Sequence, residues 1–289
     1  MHPSEFGVDR SDEIRQLFRL SVDELVRASA GHLVVKETLE ELYDFTAEYM
    51  VNEFRAAMAK GGPVAFIMPV GPVEPYPRMA RMINRDRVSL GRCWLFFMDE
   101  YCDDEGRPIP DTHPLSFRRQ SRALFLDLID RDLRVPDSQV VFPSPENLER
   151  LPAMMESVGG IEVCYGGLGI HGHVAFNEPA VGVKDSAPRI VSLNDFTRTI
   201  DATRSHVGGN LVNFPRRAIT LGFRQILGAR KVFLMSRNAS PAMDWANTVL
   251  RLAALGAPGD DYPVTHLRGH GSYLIAVDRA TASAPQIVL

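Results

Sequence analysis

Short apolar runs recur along the 289-residue chain, and most of them are apolar at every position rather than at alternate positions. The runs VAFIM at residues 64–68 and CWLFFM at residues 93–98 are two examples. A strand that is apolar throughout is typical of a sheet covered on both faces, as parallel sheets are. The predicted strands are residues 33–36, 64–68, 93–98, 139–142, 161–165, 218–221, 231–235 and 273–277.

Longer amphipathic segments separate these runs. In residues 39–58 the apolar side chains recur close to helical spacing, and the Gly-Gly-Pro sequence at 61–63 predicts the end of that helix. The predicted helices are residues 39–58, 78–84, 113–129, 146–158 and 241–255, with one short helix within residues 11–30.

The alternation of strands and helices predicts an α/β fold with a single Rossmann-like sheet, doubly wound, mostly parallel and flanked by helices. Residues 1–30 are expected to form an N-terminal extension, and residues 31–289 a single α/β domain.

Composition and charge exclude some partners. The chain has 32 Lys and Arg against 36 Asp and Glu, a formal net charge of −4, and so lacks the basic excess that nucleic-acid binding needs. No apolar run approaches the roughly 18 residues that a membrane span requires. The 3 cysteines are too scattered for a disulfide framework, and the N-terminus lacks a signal-peptide pattern. We therefore expect a cytoplasmic protein that binds neither nucleic acid nor membrane.

Three predicted strand ends carry unusual residues, and doubly wound sheets bind ligands at the carboxyl ends of their strands. They are MPVGPVEP at residues 68–75, the pair Asp99-Glu100, and GGLGIHGHVAFNEP at residues 166–179. A loop rich in proline and glycine is usually a simple connection, and an Asp-Glu pair after a strand is often a solvated turn. Two histidines in a glycine-rich loop suggest a site, because ordering imidazoles on such a flexible backbone is costly.

The third segment also contains the GxGxxG pattern of dinucleotide-binding loops, at residues 167–172. That pattern should open a helix and be followed about 20 residues later by an acidic residue at the end of a strand. Residues 173–179 do not read as a helix start, and Asp185 and Asp195 are the nearest acidic residues. The context therefore disfavours a nicotinamide site.

Residues 166–179 resemble the signature GGxGxDGHxAFNEP of the glucosamine-6-phosphate deaminase (isomerising) family, in the superfamily of 6-phosphogluconolactonase- and ribose-5-phosphate isomerase-like proteins. The segments FMDEY at 97–101, HPLSF at 113–117 and YPVTHL at 262–267 are similar to its NMDEY, HPxSY and late PASxL segments. The order and spacing agree over residues 60–280. The related lactonases share GxDGH without the FNEP tail.

The resemblance implies an aminosugar isomerase and deaminase, a hydrolase that acts on a cyclic aminosugar without a cofactor. Asp99 would move a proton between adjacent carbons, and His173 would open the sugar ring. Glu178 would orient His173, and His171 is expected to be a fourth catalytic residue. Of the two adjacent carboxylates, Glu100 is the better candidate for a structural role. The residues expected to contact the sugar or sugar phosphate are Gly71, Glu74, Glu100, Gly169, Gly172, Asn177 and Arg198.

The chain departs from the family pattern at two places. His171 replaces the aspartate before Gly-His, so the ring-opening step could be altered or activity on the family's substrate largely lost. The loop at 71–75 aligns with the family's phosphate loop, but its prolines lack an N–H and Glu74 would repel a phosphate. Residues 236–240 (SRNAS) lack the family's lysine, although Arg237 could substitute. These departures predict a substrate other than glucosamine 6-phosphate.

Other functions remain open at this stage. The imidazoles of His171 and His173, with Asp99 and Glu178, could form a metal site, although the family requires no metal. A sugar lactonase or a non-catalytic sugar sensor of the same fold is also possible, but no helix-turn-helix segment is evident. A homo-oligomer is expected.

Overall fold

The computed structural model describes residues 3–238 and 243–289. At its centre lie strands whose side chains are buried on both faces. All five residues of the strand Val64–Met68 are buried, as the uninterrupted apolar run predicts. Two large apolar clusters pack on opposite faces of this sheet, with Phe66 in one and Ile67 in the other. Successive side chains of a strand point to opposite faces, which explains why every position is apolar.

The strands of the described residues are β1 (Leu33–Lys36), β2 (Val64–Met68), β3 (Cys93–Phe97), β4 (Asp99–Cys102), β5 (Val140–Val141), β6 (Ile161–Gly167), β7 (Arg189–Ser192), β8 (Arg217–Thr220), β9 (Lys231–Ser236) and β10 (Tyr273–Asp278). The α-helices are α1 (Ser11–Phe18), α2 (Val22–Ala28), α3 (Leu39–Ala59), α4 (Pro75–Arg85), α5 (Phe117–Leu124), α6 (Leu151–Ser157), α7 (Asp195–Arg204), α8 (Phe223–Leu227), α9 (Trp245–Leu255) and α10 (Arg279–Ala282).

Seven of these strands form one parallel sheet in the order β1-β10-β9-β6-β2-β3-β5. From the centre of the sheet the chain runs outward from β2 to β5 in one direction and then from β6 to β10 in the other, and β1, the first strand of the chain, forms the edge beside β10. The predicted doubly wound α/β fold is therefore confirmed. The order reverses between β2 and β6, and a ligand crevice is expected at the carboxyl ends of these strands.

A second, smaller sheet was not predicted. Strands β4, β8 and β7 pair antiparallel, and Asp99 stands opposite Thr220. The predicted strand at 218–221 exists as β8, but it belongs to this sheet rather than to the main one. The smaller sheet matters for the site because its strand β4 follows β3 after a single residue. This connection fixes the backbone of Asp99 at the carboxyl end of the main sheet.

Several predicted helices are shorter in the structure. The segment predicted at 113–129 becomes α5 followed by a short 3₁₀ turn, because the Ser116 hydroxyl caps the helix at the Arg119 amide and Phe125 leaves helical geometry. The segment predicted at 146–158 becomes α6, because the side chain of Asn147 bonds to the backbone at Ser144 and Phe142 and holds a turn there. The helix predicted at 241–255 is observed as α9, and residues 241 and 242 lie outside the described residues.

The N-terminal segment forms two helices, where the sequence predicted one. A capping box between Ser21 and Glu24 starts the second helix. The Arg10 guanidinium pairs with the buried Asp261 carboxylate, with 2.8 Å between Nη2 and Oδ1. The buried Arg251 donates to the Leu17 and Leu20 carbonyl oxygens at the end of α1. Charged anchors therefore fasten residues 3–30 to the α/β body.

Among the described residues, no helix combines the length and the apolar character that crossing a bilayer would take.

Candidate active site

A cavity of about 600 Å³ opens at the carboxyl ends of β2, β3, β6 and β9, on both sides of the point where strand order reverses. It lies where a doubly wound sheet is expected to bind a ligand. Its charged and imidazole wall residues are Glu74, Asp99, His173, Asp201, Arg204, His206 and Arg237. We call the part near Asp99 and His173 the reacting end, and the part near Glu74 and Arg237 the distal end.

Asp99 lies at the reacting end, directly beyond β3. Its side chain lines the cavity although the residue is only 6% exposed. Burial raises the pKa of this carboxyl well above its usual range, and the nearby charges of Glu100 and Asp201 raise it further. A carboxylate with a raised pKa is a stronger base when it is ionised, which suits proton abstraction from carbon.

Asp201 is a second carboxylate of the reacting end, and the sequence analysis missed it. It projects from α7 into the same cavity and accepts a hydrogen bond from the Tyr101 hydroxyl at 3.0 Å. Burial raises the pKa of Asp201, while the Arg204 charge opposes that shift. Two carboxyl groups in one desolvated site tend to titrate apart, one as an acid and one as a base.

The His173 imidazole lies against Gly169, close to the β6 terminus. A Cβ atom on Gly169 would lie 1.8 Å from Nε2 of His173, so only glycine fits beneath the ring. Burial lowers the pKa of His173 to about 3, and the neighbouring His171 and Arg204 charges act in the same direction. His173 is therefore a neutral imidazole at physiological pH, with one donor and one acceptor nitrogen.

His171, at the position of the family aspartate, is not among the described residues that line the cavity. Its backbone adopts left-handed geometry with φ 57°, and its ring meets Phe196 edge to face at a centroid distance of 5.1 Å. The electrostatic effect of His171 on His173 is opposite to that of an aspartate, because a positive charge here disfavours the imidazolium.

Glu178 takes part in a different contact from the one predicted. Its two carboxylate oxygens accept the Asn194 amide at 3.2 and 3.0 Å, at the start of α7. Burial raises the pKa of Glu178. In the part of the chain that the structure describes, no hydrogen bond joins Glu178 to His173. Its observed contact therefore holds the helix that carries Asp201 and Arg204.

Two predicted substrate contacts are replaced by structural hydrogen bonds. Glu100 accepts the Ser116 hydroxyl and the Phe117 and Arg118 amides at 2.9–3.0 Å, so its carboxylate caps the start of α5. Asn177 is fully buried and bonds to four groups outside the cavity. Its partners are the Val174 and Leu221 carbonyls, the Ser186 hydroxyl and the Arg189 guanidinium.

The arginine of α7 that lines the cavity is Arg204, where the sequence predicted Arg198. Arg198 donates to the Leu211 carbonyl at 2.7 Å and pairs with Asp195, away from the cavity wall. Arg204 lies six positions later on α7 and reaches the loop after β2, where a Cβ on Gly71 would be 3.6 Å from its Nη2. Six residues at about 100° each place the two side chains about 120° apart around the helix.

Glycines bring the two central loops into contact. A Cβ on Gly167 would lie 2.8 Å from the Gly71 carbonyl oxygen and 2.9 Å from Cδ of Pro72. Gly172 has φ 72° and packs on Val264 rather than lining the cavity. The predicted contact positions Gly71, Glu74 and Gly169 do line the cavity.

Among residues 3–238 and 243–289, no three His, Cys, Asp or Glu side chains converge into a group that could hold a metal ion.

Comparison with curated proteins gives one consistent family. The chain is 28% identical to a glucosamine-6-phosphate deaminase of Caenorhabditis elegans over 213 residues, covering 73% of this chain and 78% of the relative. It is 27% identical to a glucosamine-6-phosphate deaminase of Parabacteroides distasonis over 258 residues, covering 87% and 90%. No family model matches the chain. The chain is similar to these deaminases over most of its length, as its motifs predict.

Solved structures share the fold. A monomeric glucosamine-6-phosphate deaminase superposes with a TM-score of 0.75 at 21% identity, covering 88% of this chain and 99% of the neighbour. A 6-phosphogluconolactonase from Thermotoga maritima superposes with a TM-score of 0.61 at 16% identity, covering 85% and 98%. The predicted α/β fold agrees with both neighbours.

Proposed function

We propose that this chain is an aminosugar isomerase and deaminase, which converts a cyclic 2-amino-aldose and water into a ketose and ammonia. The single observation that carries the proposal is that Asp99 and His173 line the same cavity, at the position that the fold reserves for ligands. The similarity to glucosamine-6-phosphate deaminases supports the same chemistry.

In the proposed reaction Asp99 is the base that takes the proton from C2 of the open-chain aminosugar and returns it to C1. A single carboxylate can serve both carbons because they are adjacent. Together with the passage of one amine proton to O1, the transfer converts the aldehyde and its neighbouring amine into a ketose imine, which water hydrolyses to the ketose and ammonia. The raised pKa of Asp99 makes its ionised form a stronger base and makes the rate depend on pH.

In the proposed ring opening His173 acts at the ring oxygen and the anomeric hydroxyl as a neutral imidazole. Its low pKa leaves almost no imidazolium at neutral pH. The donor and acceptor nitrogens of the neutral ring can still exchange protons with two sugar oxygens. Asp201, whose pKa is raised, supplies a protonatable group in the same cavity.

The test is an assay of ammonia and ketose formation with a panel of aminosugars, both phosphorylated and unphosphorylated. Stoichiometric ammonia and ketose from at least one of them is the expected result. Thermal-shift measurements on the same panel detect ligands that bind without turnover. Thermal stabilisation by a sugar, with no ammonia formed from any sugar, would contradict the proposed deaminase activity and favour a non-catalytic sugar sensor.

We also propose that residues 31–289 act as the deaminase-like domain and residues 1–30 as an extension anchored on it. The Arg10–Asp261 pair supports that anchoring. A chain beginning at residue 31 should therefore keep its sugar-binding profile but unfold at a lower temperature. We further propose a cytoplasmic homo-oligomer. Light scattering of the full chain tests the assembly, and cell fractionation tests the compartment.

A further inference from the structure

The start of α4, at the distal end of the cavity, lacks the backbone donors that an anion would need. Helix α4 begins there with Pro75 and has Pro77 at its third position, and proline carries no N–H. The Tyr76 amide between them donates to the Val73 carbonyl at 3.0 Å. A helix N-terminus attracts anions through free amides in its first turn. This turn has none at its first three positions.

An anion of the protein itself already lies at this helix start. Glu74 occupies the position just before α4 without a side-chain capping hydrogen bond, and its carboxylate forms an ion pair with the Arg237 guanidinium. The side chains are 29% and 17% exposed, so the pair is largely withdrawn from water. Arg237 also lies over the Tyr43 ring, 5.9 Å from its centroid. The strand-end cation is therefore engaged before any ligand arrives.

The Glu74–Arg237 pair leaves one acceptor and one donor unused. Oε2 of Glu74 and Nε of Arg237 are buried and have no hydrogen-bond partner among the described residues. A hydroxyl group can donate to the first and accept from the second, whereas a phosphate oxygen at neutral pH mainly accepts. Both atoms are closed to solvent, so a ligand reaches them only if the pair shifts, and a ligand that then satisfies both removes the cost of leaving them without partners.

The charges around the cavity also disfavour a dianion. The acidic side chains Glu74, Asp99 and Asp201 face the basic side chains Arg204 and Arg237. Even with Asp99 protonated, this set has no positive excess. Arg204 is exposed and follows Asp201 by one helical turn, so a carboxylate already lies within its electrostatic reach.

We propose that Glu74 takes the place of the substrate's terminal anion, so that the cavity accepts an unphosphorylated aminosugar whose hydroxyl groups bond to Glu74 and Arg237. This inference rests on the proposed function for the identity of the reaction, but its recognition step can be measured by binding alone.

The binding experiment uses calorimetry on the full chain with glucosamine, glucosamine 6-phosphate and inorganic phosphate as probes. Wild-type protein should bind glucosamine about tenfold more tightly than its 6-phosphate, because the phosphate meets the Glu74 carboxylate and an arginine that is already paired with it. High salt should reduce this preference, since it screens the repulsion. Tighter binding of the 6-phosphate by wild-type protein would overturn the inference.

Glu74→Gln should strengthen the binding of inorganic phosphate and of glucosamine 6-phosphate by about tenfold, because it removes the repulsive charge and frees Arg237. The matched control is Glu48→Gln, which makes the same change at an exposed glutamate of α3. Unchanged phosphate affinity in a folded Glu74→Gln protein would overturn the assignment of Glu74. If that variant fails to fold, the inference is still tested by the preference of the wild-type protein for glucosamine over its 6-phosphate and by the salt dependence of that preference.

The failure of this inference is distinguishable from failure of the proposed function. Tight binding and deamination of glucosamine 6-phosphate would overturn the inference and leave the reaction class intact. Preferential binding of glucosamine without ammonia release from any sugar would support the inference and contradict the reaction.

Discussion

The reacting end and the distal end of the cavity differ in how their charged groups are paired. At the reacting end, Asp99 and His173 project into the cavity and bond to few neighbours. At the distal end, Glu74 and Arg237 are bound to each other. The first arrangement leaves Asp99 and His173 able to exchange protons with a ligand. The second neutralises the Arg237 charge, which would otherwise favour an anionic ligand. The residues proposed for the reaction and those proposed for ligand choice therefore lie at different strand ends. A substitution at one end can then be expected to leave the other end unchanged.

The largest expected effect is that of Asp99→Asn. An amide cannot take the C2 proton, so kcat should fall by about 10²–10⁴-fold, the usual contribution of a general base. Glucosamine binding measured by calorimetry should stay within about threefold, because the distal end is untouched.

The matched control for this change is Asp104→Asn, at an exposed position two residues after β4. Full activity in a folded Asp99→Asn protein would show that Asp99 is not the base. The proposed division of the cavity into a reacting end and a distal end would then be wrong.

Gly169→Ala should lower kcat by about 100-fold, because the new methyl group lies where Nε2 of His173 stands and displaces the ring. The preference for glucosamine over its 6-phosphate should persist, which steady-state kinetics on both sugars would measure. Gly91→Ala is the control, since its added Cβ would come no closer than 3.6 Å to any neighbour. Equal loss in both variants would mean that a general loss of stability, rather than a displaced His173, causes the effect.

Asp201→Asn should shift the acidic limb of the kcat/KM profile to lower pH. The Asp201 charge helps to raise the pKa of Asp99, so its removal lowers that pKa and increases the ionised fraction of Asp99 at a given acidic pH. Activity below the limb should rise relative to the plateau, by several-fold. Asp195→Asn, at an exposed site on the same helix, serves as the comparison. A shift to higher pH would contradict the assigned electrostatic coupling.

The smallest expected effect is that of His171→Asp. A carboxylate in place of the imidazole should raise the pKa of His173, because it removes a repulsive charge and adds an attractive one. Aspartate tolerates the left-handed backbone at this position better than most residues. Titration of the His173 ring resonances by NMR measures the change. An unchanged midpoint in the titration of these resonances would show that His171 does not control the charge of His173.

The sequence by itself determined the sheet and the positions of Asp99 and His173. Runs that are apolar at every position can be buried only in a sheet covered on both faces, and the chain order of strands and helices then fixes the doubly wound topology. A residue that directly follows a central parallel strand must lie at its carboxyl end. For that reason the sequence alone places Asp99 and the loops at 68–75 and 166–179, the second of which carries His173, at one edge of the sheet.

Only the tertiary structure decided which polar side chains reach the cavity. Arg198 and Arg204 are equivalent as residue types, but the angle between them on α7 directs only Arg204 to the cavity. Helix α7 was not predicted, and the cap of Asn194 on the Thr197 amide was the local signal that could have revealed it. The Glu74–Arg237 pair joins residues 163 positions apart, and no local pattern can predict such a contact. Neither the orientation of a polar side chain nor its long-range partner is encoded in local periodicity, since both depend on how the elements pack.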